Sequence, residues 1–264
     1  LSYREKSPAT QAIDDATTIA AVDKAVADAT ANNLTNAKGS ATTEISELAN
    51  LSEADQTTYT EQVNQATDVA TVEQAVADAK DAAELALAEA QKAADTTIAD
   101  LTYLSVAELT DFEQQVTDAT TITDVTQIVT EATNQNLTNA KESGSDEIDG
   151  LKNLDDSQQQ TFVAQVTNAD TTDAVEQIVA DAKAADELAG QKADAQAEID
   201  TMTYLSDDEK STYKNQVTEA TDATGVNNVV GEADATNLAN AKDSATTEIS
   251  SLANLSDTER ADYA

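Results

Sequence analysis

The sequence contains no cysteine, no histidine and no tryptophan. Without cysteine there can be no disulfide and no thiolate zinc site. Without cysteine or histidine, the usual nucleophile–base pairs of covalent catalysis cannot be assembled either. One proline and six glycines in 264 residues leave few punctuators for loops. Aromatics make up only 3%, and the 40% apolar fraction is dominated by alanine. So few large side chains cannot fill a wide core, and many thin cores suit the composition better than one thick core. Cations are scarce: 14 Lys and Arg stand against 51 Asp and Glu, a formal net charge of −37. Such a surface repels nucleic acid and anionic membranes. No apolar run approaches the roughly 18–20 residues that span a bilayer. Neither end carries a recognisable signal or sorting segment, so the chain is expected to be a piece of something longer.

High charge with abundant Thr, Ala, Asp and Gln also suits a disordered acidic tract. The pattern argues otherwise. Leu34, Ala37, Ala41, Ile45 and Leu48 step by 3, 4, 4 and 3, one stripe of an α-helix. Tyr59, Val63 and Ala66 form a second stripe, and Val69, Val72, Val76 and Ala79 a third. Three short one-sided helices are unstable alone but can bury their stripes against each other. The expected fold class is therefore all-α, a tandem array of short three-helix bundles forming an elongated rod, with neighbouring bundles joined by near-continuous helices.

The unit repeats. Leu1, Leu51, Leu104, Leu154, Leu205 and Leu255 each precede Ser or Asp at intervals of 50, 53, 50, 51 and 50 residues, the mark of stacked units. Each boundary carries a helix start: S-x-x-E at Ser2/Glu5, Ser105/Glu108, Ser206/Glu209 and Ser256/Glu259, with Ser52 and Asp155/Gln158 as variants. Asn50, Asn153 and Asn254 stand where the preceding helix must stop, a place that suits a left-handed residue. We label the helices A (ending at this boundary), B (starting at it) and C. Helix B carries an aromatic at Tyr59, Phe112, Phe162, Tyr213 and Tyr263, on its buried stripe. The first copy has Ser7-Pro8-Ala9 there instead, which predicts a shortened helix capped by Ser7.

The C–A joints differ in length. Ala79–Leu87 spans 8 residues and Ala182–Leu188 spans 6, both rich in helix formers; the other joints span 5 and carry Asn, which can end one helix and cap the next. A continuous helix from Val69 to Leu101 is expected. On the A-B-C frame the modules are 34–84, 85–136, 137–187 and 188–237, with partial modules at 1–33 (helices B and C) and 238–264 (helix A and the start of B). A B-C-A frame would give five modules from Leu1 to Asn254, but requires a sharp turn at every joint. Modules this thin need contact with their neighbours for stability and should unfold with partial independence.

No catalytic, cofactor-binding or metal-ligating residue is assigned. Asp155-Asp156 and Asp207-Asp208-Glu209 lack calcium-loop spacing and read as helix N-terminal acids. Asn33 and Asn136 sit in glycosylation sequons that the joint reading explains without sugar.

With helices ordered A-B-C, the stretch NLTNAKGSATTEISELANLSEADQTTYTEQVNQATDVATVEQAVADA (33–79) resembles the GA (albumin-binding) and FIVAR-type three-helix modules of giant Gram-positive cell-wall-attached adhesins. The likeness lies in the NAK opening of helix A, the aromatic and Val of helix B, and the T-x-x-x-V opening of helix C. The resemblance implies a surface-exposed tandem rod outside the cell that acts as a stalk or spacer, without enzymatic activity or cofactor. Its partners would be a host serum or matrix protein, or like molecules on neighbouring cells, and neither nucleic acid nor membrane. Albumin binding is not carried over, because Tyr59 is flanked by Thr58 and Thr60, and Tyr213 by Thr212 and Lys214, rather than by apolar residues.

Overall fold

The computed structural model describes residues 3–263, and among them every regular element is an α-helix. In order these are α1 (Tyr3–Asp14), α2 (Ile19–Ser46), α3 (Glu53–Gln65), α4 (Val69–Ala99), α5 (Val106–Asp118), α6 (Ile122–Asp149), α7 (Asp156–Asn168), α8 (Thr172–Thr201), α9 (Asp207–Glu219), α10 (Ala223–Ser251) and α11 (Asp257–Tyr263). Short helices, 13 residues long in α3, α5, α7 and α9, alternate with long ones of 28 to 31. Each long helix is a helix C that continues into the next helix A.

The starts follow the sequence signals. Ser52, Ser105 and Ser206 each accept from the backbone N–H three residues on, and Ser105/Glu108, Asp155/Gln158 and Ser206/Glu209 close full capping boxes. Ser256 and Glu259 make the same reciprocal bonds. The long helices begin at Thr18, Asp68, Thr171 and Asp222, whose side chains accept from the third residue. The expected Ser2/Glu5 pair lies outside the described residues.

The chain divides into two compact units, Leu1–Asn136 and Leu137–Ala264. In the first, one core gathers Ala41 and Ile45 of α2, Val63 of α3, and Val72, Ala75, Val76 and Ala79 of α4. Its second core gathers Ala94 and Ile98 of the same α4, Val116 of α5, and Val125 and Ala132 of α6. In the other unit, Ile148, Val166 and Val175 are fully buried, and a Cβ on Gly144 would lie 2.9 Å from Val175 and 3.1 Å from Val179. Buried Ala41, Ala94 and Ala195 hold the equivalent place in the other bundles. The last core joins Ala195 and Ile199 of α8, Val217 of α9, and Val226 and Ala233 of α10. Every core is thus built from a helix A, a helix B and a helix C, and within each unit one unbroken helix serves two cores.

The Asn-bearing joints are in line, as near-continuous joints require: α2, α6 and α10 run straight through Asn33, Asn136 and Asn237, and the side chains of Asn136 and Asn237 bond the backbone of Tyr103 and Tyr204. Two expectations need correction. No non-glycine residue among those described has positive φ. Helix A ends four residues before Asn50 and Asn153, and α2 and α4 are closed by Glu47 at φ −92°, ψ −4° and Asp100 at φ −81°, ψ −4°, so no left-handed cap is needed. Finally, α1 is not shortened at Ser7 but includes Pro8. The missing N–H would have bonded the carbonyl of Arg4 in the first turn, so only one bond is forfeited.

Candidate functional site

The acid clusters are absorbed by the helix ends. Asp155 accepts from Gln158 N at 2.8 Å and caps α7. Glu209 accepts from Ser206 N at 2.8 Å, from Ser206 Oγ at 2.8 Å and from Asn240 Nδ2 at 3.2 Å. These bonds, the backbone one first, hold its carboxyl below the usual range. Asp68 is lowered in the same way by the backbone and side chain of Thr71. Among the described residues, no group of three acids is placed to hold a metal ion.

The helix-B aromatics lie where the stripe puts them. Tyr59, Phe112 and Tyr213 are half-buried against their cores, and the Tyr213 hydroxyl meets Thr236 Oγ1 at 2.7 Å. Tyr263 differs, at 70% exposed on α11. Of the two sequons, Asn136 is buried, with its Oδ1 accepting from Tyr103 N at 2.8 Å. That placement leaves the amide no room for a sugar.

Two sets of polar residues organise the bundle ends in roles that sequence reasoning did not assign to them. The first is a lysine of helix A, in the NAK motif at Lys38 and Lys141 and in Gly190-Gln191-Lys192 of the last bundle. Lys38 Nζ donates to Asn64 O at 2.8 Å, Lys141 to Thr167 O at 2.9 Å and Lys192 to Thr218 O at 2.9 Å. Each closes the carbonyl end of helix B, where backbone acceptors lack intrahelical partners and the dipole favours a cation. In the second bundle Gln91 holds this place and donates to Val116 O, Thr117 O and Ala119 O. The constant offset of 26 residues was the signal available in the sequence.

The second set clamps the loop between helices A and B to the long helix. Asn136 Oδ1 receives Tyr103 N, Asn237 Oδ1 receives Tyr204 N at 2.9 Å, and Asp186 Oδ1 receives Asn153 N at 2.6 Å, always 33 residues apart. Buried Ala83 occupies the fourth such position. Across the bundles, Lys80 pairs with Glu44 at 2.5 Å, and Lys183 with Glu147, joining helices A and C. None of these constellations forms a cleft in which acids sit in unequal environments, as acid–base catalysis requires. A shallow groove between α7 and α8 is lined by Gln160, Thr161, Ala164, Asn168, Ala174 and Ile178. No helix of the described residues is long and apolar enough to cross a membrane.

Comparison with known families matches the GA module at residues 31–85, 86–136, 134–188, 185–237 and 235–263. A comparison with curated protein sequences gives no match. Among solved structures, the chain is similar to the 756–1003 domain of EbhA from Staphylococcus aureus. The identity is 23% and the TM-score 0.37, over 77% of this chain and 98% of that one.

Proposed function

We propose, since this chain belongs to the GA module family, that it is a stalk segment of a bacterial surface adhesin, holding a binding domain away from the cell wall. The observation that carries the reading is the sharing of one unbroken helix by two cores, as in α4, whose Val76 and Ile98 lie in different interiors. At 31 residues, α4 is about 46 Å long and cannot fold back on itself. The modules we assign are 34–84, 85–136, 137–187 and 188–237, with partial ones at 1–33 and 238–264. The net charge of −37 resists collapse and self-association. We assign no enzymatic role.

Small-angle scattering tests the spacer role. A 264-residue globule has a radius of gyration of roughly 18 Å, whereas a rod on the order of 120–200 Å long gives roughly 35 Å or more. The compact value would end the stalk reading. A second reading, direct binding of albumin or an extracellular-matrix protein through a helix face, is favoured by the α7/α8 groove. Immobilised chain exposed to purified albumin and matrix proteins decides between them. Saturable capture at micromolar concentration or below that is lost in Ala164→Glu supports the binder.

A further inference from the structure

In the first unit, one side chain ties one bundle to the next. Asn50, in the loop between α2 and α3, donates from Nδ2 to Thr120 O at 3.0 Å and accepts from Ile122 N at 2.8 Å. Thr120 lies in the loop between α5 and α6 and Ile122 opens α6, both at the edge of the second bundle. The contact has a cause in helix phase. Ile98 follows Val76 by 22 residues along α4, and at about 100° per residue it is turned by only about 40° around the axis. The two cores therefore lie on nearly the same side of α4, and the loops at their facing ends become neighbours.

In the other unit the joint is two residues shorter. Ile199 follows Val179 by 20 residues along α8, a turn of about 200°. The two cores of α8 lie on opposite sides of it. Asn153, which corresponds to Asn50, is engaged by its own long helix instead. Its Nδ2 donates to Asp186 Oδ2 at 3.1 Å and its backbone N to Asp186 Oδ1 at 2.6 Å.

We propose that the bundles flanking α4 open as one cooperative unit, coupled through the Asn50 bridge that the joint's phase permits, whereas those flanking α8 open separately. Joint length then encodes coupling: the same module is locked to its neighbour or independent of it according to the residues inserted between Ala79 and Leu87 or between Ala182 and Leu188. This holds whether or not the chain carries a ligand.

Native-state hydrogen exchange on the full chain in rising urea, read by mass spectrometry, tests it. The most protected amides of α3 and α5 are expected to lose protection together, and those of α7 and α9 at different urea concentrations. Asn50→Ala removes both bridging bonds and should split α3 from α5, the weaker exchanging about tenfold faster. Deleting the exposed Glu84 and Leu85 resets the phase of α4 to about 200° and should split them as well. Independent opening of α3 and α5 in the native chain overturns the proposal. So does joint opening that survives both changes, or joint opening of α7 and α9.

Discussion

Replacing Lys141 by Met is the sharpest test of how these bundles are closed. The ammonium donates at 2.9 Å to Thr167 O, in the last turn of α7. Hydrogen bonds to charged groups are worth roughly 1.5–3 kcal/mol when shielded, and a cation at an exposed helix C-terminus about 0.3–1 kcal/mol. Lys141 is only half-buried, and fixing its long side chain costs up to about 2 kcal/mol of rotamer freedom. The net expectation is about 1 kcal/mol of stability in the third bundle. Removing any cation also makes the net charge more negative, from −37 to −38, which destabilises by general repulsion. Lys24→Met controls for that term, because Lys24 only pairs with Asp28 four residues on, at 2.7 Å, a contact worth about 0.3–0.5 kcal/mol. Amide exchange in α7 should therefore quicken about fivefold in Lys141→Met, while Lys24→Met leaves α7 unchanged. Lys141→Gln should keep much of the protection, since Gln91 does the same work in the second bundle. Equal effects of the two Met variants on α7, or a Gln variant no better than Met, would refute the capping argument.

Other perturbations probe the core, the backbone and the acids. Ile98→Ala, at a fully buried site, should cost about 2–5 kcal/mol, lowering the urea midpoint of α5 protection, whereas Ile249→Ala, at a half-buried site, should cost less. Gly39→Ala should stabilise α2 by about 0.5–1 kcal/mol, because a Cβ there meets nothing within 4 Å; a loss in thermal midpoint would contradict this. Glu209 is held below its usual pKa by Ser206 and Asn240. Its contribution is full at neutral pH and is lost as pH falls below about 4 toward the depressed value. Glu209→Gln should accordingly flatten the acid limb of α9 stability, and an unchanged limb in urea titrations between pH 3 and 5 would count against it.

Much of this molecule was written in its sequence. The stripes through Ile45, Val63 and Val76 named the residues of a common interior, because a helix places every third or fourth side chain on one face regardless of context. The serine–glutamate boundaries named the helix starts, because a cap acts over three residues and is wholly local. Tertiary structure decided what became of the remaining polar residues. Asn33, Asn136 and Asn237 carry a breaker's propensity, yet the helices continue through them. The packed cores on either side outweigh a few tenths of a kcal/mol of local preference. The true roles of Asn136 and Asn237, like those of Lys38, Lys141 and Asn50, lie in bonds to residues 26 to 72 positions away. Those partners exist only once α-helical phase and joint length have brought two distant loops side by side.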